Sequence, residues 1–154
     1  MSKFHLWIAG AQDTDIVSAK ITAQCAFHDD QAKLDPAFFH KVPSDPETQL
    51  RVILAEDRGQ VIGLMANYPM FRLHSATSGL HLHQLFLDES YRGQGCAGQF
   101  MEYLTNTAAE FGASYITVSA DLQNEPAHQV YLTLGFKRVA IRGAFFEYRP
   151  APNG

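Results

Sequence analysis

The sequence predicts a mixed α/β fold, and three observations carry that expectation. Apolar residues alternate with period two in several short segments, and recur at helical spacing in others between them. A glycine-rich run, Gly93-Gln94-Gly95-Cys96-Ala97-Gly98, separates one such strand from one such helix. A length of 154 residues suits one domain spanning 1–154, and 46% hydrophobic against 18% charged residues is a globular balance.

The elements follow in order. Residues 4–9 read as an opening strand. Asp13 or Thr14 can cap a helix whose buried face holds Ile16, Val17 and Ile21. From Asp29 to Gln49 the pattern loosens under Pro36, Pro43 and Pro46, with Phe38 and Phe39 marking a short helix; the segment reads equally as a lid or as an irregular connection. Residues 51–56 and 61–72 are strands joined by a hairpin turn at Asp57-Arg58-Gly59-Gln60. Leu80, Leu82, Leu85 and Leu87 mark the next strand. Ala97, Phe100, Met101, Leu104, Ala108 and Phe111 give the helix after the glycine run, which Gly112 stops. Residues 115–120 are a buried strand by their β-branched content. A helix with Pro126 in its first turn presents Ala127, Val130, Tyr131 and Leu134 on one face and stops at Gly135. Residues 137–142 and 144–148 close the chain as a strand pair turned at Gly143.

Composition excludes several classes. A formal charge of −4 leaves no excess of Lys and Arg to neutralise phosphates, which argues against nucleic acid as partner. Cys25 and Cys96 are too few for a disulfide framework or a four-cysteine zinc site, and His81 and His83, on one strand face, lack a third ligand nearby; no metal is expected. No apolar run is long enough to span a membrane, and the opening residues lack the pattern of a signal peptide, so the expected location is the cytoplasm.

Between a strand and a helix, the backbone N–H groups of residues 93–98 and the helix dipole can hold a phosphate, with Arg92 adding charge at the edge. A plain tight turn is the bland alternative. The run also spells G-x-G-x-x-G, with Asp121 near the place of a ribose-binding acid. Two features weaken a dinucleotide reading: residues 88–92 separate strand from first glycine, and the chain beyond Gly98 is too short for the rest of a doubly wound domain.

These residues resemble the GCN5-related N-acetyltransferases. Arg92-Gly93-Gln94-Gly95-Cys96-Ala97 fits the family's phosphate-binding signature, and Asn124-Glu125-Pro126-Ala127 through Tyr131 to Gly135-Phe136 fits a second family element. The resemblance implies the family's acyl-CoA N-acyltransferase fold, a mixed, mostly antiparallel sheet of six to seven strands flanked by about four helices. It implies acetyl-CoA as cofactor, its diphosphate on the amides of Gly93, Gln94, Gly95, Cys96, Ala97 and Gly98. The strand of Leu85, Phe86 and Leu87 would pair with the pantetheine arm, Asn124 would touch that arm, and Tyr131 would protonate the departing thiolate. A small-molecule or peptide amine is the implied acceptor, and a homodimer is compatible with the family's habits. A non-catalytic sensor keeping the same fold is the alternative.

Acyl transfer needs a neutral amine, and a free aliphatic ammonium titrates near about pH 10, so some group must take its proton. In polyamine acetyltransferases of this family a glutamate stands two residues before the Leu85 position; here His83 stands there, and histidine titrates near neutrality. His83 is therefore the candidate base, against an ordinary structural or solvent-facing histidine. Cys96, at a helix start, reads as small-residue packing before it reads as a reactive thiol. Phe38, Phe39, Tyr68, Met70 and Phe71 are candidates for an acceptor pocket or for plain core.

Overall fold

Strand β1 (His5–Ile8) opens a five-stranded sheet in the computed structural model, which describes residues 2–27, 35–42, 47–140 and 146–152. Gly10 and Ala11 then turn the chain into α1 (Thr14–Phe27), and the Asp13 carboxylate closes that turn by accepting from the Gly10 N–H at 2.9 Å. Within the loosely patterned stretch, α2 (Pro36–Lys41) forms around Phe38 and Phe39, capped by the Asp35 carboxylate on the Ala37 N–H. Of the lid expectation, residues 29–34 and 43–46 lie outside the described residues, and 47–49 are irregular.

Strands β2 (Arg51–Asp57) and β3 (Gln60–Arg72) form the expected hairpin, with Arg58 at φ 51° and Gly59 at φ 83°. Two successive positive φ values match the right-handed twist of the flanking strands. Pro69 interrupts nothing on the β2 side, because the β2 ladder ends at the Arg51–Asn67 pair. β4 (Thr77–Leu87) returns antiparallel to β3, and β5 (Tyr115–Val118) lies parallel to β4, giving the order β1-β2-β3-β4-β5. The sheet is mixed and mostly antiparallel, as expected.

One face of this sheet packs on α1 and α2 through Val52, Leu54, Leu64 and Ala66 against Val17 and Phe39, with Ile16 and Ile21 beside them. Phe39 is thus core, while Phe38 is exposed. Helix α3 (Cys96–Glu110) buries Cys96, Phe100, Leu104 and Ala108, one residue per turn, and packs on β4. This i, i+4 stripe is what makes the helix stay where its N-terminus meets the end of β4.

The chain divides into two compact units, Met1–Asp121 and Leu122–Gly154. In the second, α4 (Glu125–Thr133) begins at Asn124, whose Oδ1 accepts from the Ala127 N–H at 3.2 Å, and Gly135 at φ 96° ends it. The expected count of six to seven strands is corrected to five among the described residues. Residues 137–140 and 146–148 are irregular, and 141–145, with the turn at Gly143, lie outside the described residues. Val139, Phe146 and Tyr148 favour strands but are 78, 88 and 87% exposed. Such propensity mostly measures a covered face and a ladder neighbour, and among the described residues these three have neither. Among the described residues no helix is long and apolar enough to cross a membrane.

Candidate acyl-transfer site

The register of β4 shapes the site. Ala66 pairs with Gln84 and Asn67 with Leu82, so His83 is the extra residue of a β-bulge. On the other edge, β4 and β5 pair only from Gly79–Tyr115 to Leu82–Val118. β5 ends there, whereas β4 runs on to Leu87. Among the described residues, therefore, no strand of the sheet lies beside residues 83–87 on that edge. An exposed row of backbone donors and acceptors is a template for an extended ligand. Within that segment Phe86 is buried and shares a face with Leu64, so any contact it makes to a bound arm runs through its backbone.

The strand then delivers the chain to the glycine run. Leu87 is followed by a single helical turn, Glu89–Tyr91, and the Arg92 Nε donates to the Leu87 carbonyl at 3.2 Å. The guanidinium folded back in this way ties the start of the loop to the strand end. The Gln94 side chain bridges the loop in both directions, donating to the Ser90 carbonyl at 2.7 Å and accepting from Lys3 Nζ at 2.9 Å. Gly95 is the N-cap of α3, at φ 91° and ψ 0°, and among the described residues no side chain caps the helix. The first intrahelical bond goes from the Gln99 N–H to the Gly95 carbonyl. The N–H groups of Cys96, Ala97 and Gly98 thus stand at the end of the helix with its dipole behind them, and a Cβ at Gly93, Gly95 or Gly98 would meet open space. A helix end of this kind can accept an anion, and there is open space at its glycines.

Cys96 is fully buried, and burial pushes its thiol up to about 11, against a smaller opposing pull from Lys3. It packs the helix onto the sheet and is not a thiolate, as the small-residue reading has it.

Next to the open edge lies a cluster of rings. Partners across a ladder share a face, which puts Tyr68, His81, Met70 and Thr117 together. The Tyr68 ring sits 5.1 Å from that of His81 and 5.9 Å from that of His83, and the two imidazoles are 6.5 Å apart. His81 Nδ1 is 2.8 Å from Thr117 Oγ1, and Thr117 also reaches Met70 Sδ at 3.3 Å. Burial first, and the neighbouring His83 second, hold His81 below the ordinary histidine value, which favours its neutral form. His83 is exposed at the bulge. Tyr68 and Met70 thus join this cluster, while Phe71 points to solvent, 69% exposed.

In the second unit, Tyr131 packs edge-on against Phe136, ring centroids 5.9 Å apart. Burial raises its phenol above the ordinary tyrosine value, so it stays protonated. Asn124, expected at a cofactor arm, spends its Oδ1 on capping α4.

Three features escaped the sequence reading. Thr117 meets His81 only because β5 lies parallel to β4, a non-local pairing. For Tyr68 the sequence offers an acceptor pocket or plain core, but not the two histidines beside it. Lys20 lies three residues after Val17 on the covered face of α1 and grips Asp88 at 2.7 and 2.8 Å; a lysine on an apolar helical stripe was the available signal.

A parallel pair that stops at Leu82–Val118 and a helix N-terminus without a side-chain cap mark an α/β protein whose β4 end suits an extended, anionic ligand. The chain belongs to the GNAT acetyltransferase family: residues 19–136 match the family model for "Acetyltransferase (GNAT) family", which makes it an acyl-CoA-dependent N-acetyltransferase. It is 27% identical over 134 residues to an aminoalkylphosphonate N-acetyltransferase of Salmonella typhimurium, covering 87% of this chain and 85% of that one. It is 31% identical over 112 residues to the uncharacterized N-acetyltransferase YhbS of Escherichia coli, covering 73% of this chain and 61% of that one. Among solved structures, an aminoglycoside acetyltransferase from an uncultured soil metagenomic sample, in complex with sisomicin, superposes with a TM-score of 0.79 at 13% identity, covering 96% of this chain and 97% of that one. A ribosomal-protein-alanine N-acetyltransferase from Brucella melitensis gives 0.73 at 15%, covering 95 and 99%. At such identities these likenesses speak to the fold alone.

Proposed function

We propose that the whole chain acts as one catalytic domain that transfers acetyl from acetyl-CoA to a primary amine by direct attack. The observation that carries this reading is the pairing of an open β4 edge with the uncapped N-terminus of α3 at the end of the same strand. The amides of residues 93–98 would hold the diphosphate, with Arg92 at the margin, and the edge of Leu85, Phe86 and Leu87 would hold the extended arm. The cofactor supplies an activated thioester. Everything else falls to side chains of this chain.

His83, exposed on the bulge beside the open edge, would take the proton of the incoming ammonium, directly or through water. His81 is held by Thr117 and kept neutral, so it adds no positive charge next to a cationic acceptor. Tyr131, with its phenol kept protonated, would donate to the leaving thiolate, and Asn124 would set the start of the helix that carries it. A phenol near about pKa 10 or above is a competent donor to a thiolate of about 8.5 or higher.

The acceptor is a small amine in this reading. Similarity to an aminoalkylphosphonate N-acetyltransferase along most of both chains supports a small-molecule amine ahead of a protein N-terminus. The test is release of free coenzyme A thiol from acetyl-CoA across aminoalkylphosphonates, amino acids, diamines, aminoglycosides and N-terminal peptides. Turnover with one small amine class supports the proposal. Tight binding of acetyl-CoA with no turnover on any amine would favour the sensor instead.

A further inference from the structure

We propose that Lys20 is a positioning residue for the cofactor, neutralising Asp88 so that the loop after β4 can accept a diphosphate. Asp88 is the residue at which β4 gives way to the phosphate-binding loop. Its N–H donates to the Ile62 carbonyl at 2.9 Å, and its carbonyl accepts from the Tyr91 N–H at 2.9 Å, so its backbone is fixed between the sheet and the turn leading to Arg92. A carboxylate held there stands at the entrance of the loop proposed to take an anion. Uncompensated, it would repel the ligand that the helix end is built to attract.

Lys20 answers this from another element. It sits in the second turn of α1, on the face that carries Val17, and its Nζ meets both carboxylate oxygens, Oδ1 at 2.8 Å and Oδ2 at 2.7 Å. Only 11% of the Lys20 side chain and 23% of the Asp88 side chain are exposed. An ion pair this sheltered is screened little by salt, and breaking it leaves an unpaired charge behind. Its two-sided grip on one carboxylate also fixes where that carboxylate points. On the other flank, Arg92 ties back to the Leu87 carbonyl. The loop entrance is thus pinned on both sides of Glu89–Tyr91, and the Lys20 side carries the charge correction.

This inference rests on the proposal that residues 93–98 bind the diphosphate of coenzyme A. The experiment measures coenzyme A affinity by calorimetry and steady-state kinetics for the native chain, Lys20→Met, Asp88→Asn and the double variant. Each is assayed with acetyl-CoA and with acetyl-pantetheine, a thioester that lacks the diphosphate. Lys20→Met is expected to weaken coenzyme A about tenfold, as for one charge in a partly screened site, with kcat kept at saturation. The double variant, with neither charge, should return to within about threefold of the native affinity, because the two sites are coupled. Kinetics with acetyl-pantetheine should not move.

A double variant as weak as Lys20→Met would make the pair a mere strut and overturn the proposal. So would equal losses with both thioesters, or native coenzyme A affinity in Lys20→Met. If Lys20→Met fails to fold, Lys20→Arg and the double variant carry the comparison: a cation retained or both charges removed should each keep affinity. A native chain that binds no coenzyme A would instead overturn the diphosphate reading itself, and this proposal with it.

Discussion

Replacing Gly95 by alanine separates the needs of the fold from those of the cofactor. Gly95 holds φ 91°, and a Cβ added there meets nothing within 4 Å, so the substitution costs backbone strain without a clash. An L-residue in the left-handed region costs roughly 1–2 kcal/mol, partly offset by a less flexible unfolded chain, leaving about 1 kcal/mol. For a chain of this size that is about 2–4 °C in Tm. Gly59, at φ 83° in the β2–β3 turn and equally open, should show the same loss when replaced by alanine. The two should part on adding coenzyme A. At one hundred times its Kd a ligand adds about 2.7 kcal/mol, or about 5–10 °C here. Gly59→Ala should keep that rise. In Gly95→Ala the new Cβ occupies space beside the α3 amides that a diphosphate must approach. A hundredfold weaker affinity would leave about 0.4 kcal/mol, a rise of about 1 °C. Differential scanning fluorimetry reads all of this in one plate. A full ligand-induced rise in Gly95→Ala would refute the reasoning, because the loop would then bind its ligand elsewhere.

Other perturbations have equally definite outcomes. His83→Ala should lower the rate of amine acetylation by about 10²–10⁴ with coenzyme A affinity unchanged, and an unaltered rate would remove His83 from the mechanism. Tyr131→Phe should lower kcat over a similar range, about 10²–10⁴, with little change in Tm, whereas a large Tm loss at native kcat would make it a core aromatic. His81 has a folded value held below that of the unfolded chain, so between the two values the unfolded chain binds more protons and stability rises with pH. Tm should therefore be indifferent to His81 above about pH 7 and fall as pH drops through about 6.5; His81→Gln should flatten that slope, and an unchanged slope would contradict it.

Much of the fold was legible because its elements follow local rules. The Asp57–Gln60 turn between two apolar segments located β2 and β3, and the helical spacing of Ala97, Phe100, Met101, Leu104, Ala108 and Phe111 located α3. The glycine run was legible for the same reason: a helix start without a capping side chain, preceded by positive-φ glycines, is a backbone statement. What local rules cannot carry is register. The bulge at His83, the end of the β4–β5 pairing at Leu82 and the meeting of His81 with Thr117 all depend on strands far apart in the chain. The partner of Lys20 is hidden for that reason, since Asp88 lies 68 residues away; only the lysine on an apolar stripe shows in the sequence. Residues 137–140 and 146–148 depart in the opposite sense, since β-propensity there reads as strand but no ladder forms among the described residues.

The most direct measurement is a crystal structure of the chain grown with coenzyme A. The account predicts diphosphate oxygens within hydrogen-bond distance of the amides at residues 93–98 and the pantetheine arm running along the bare edge of β4 beyond Leu82. Coenzyme A bound elsewhere, with those amides turned to solvent, would contradict it.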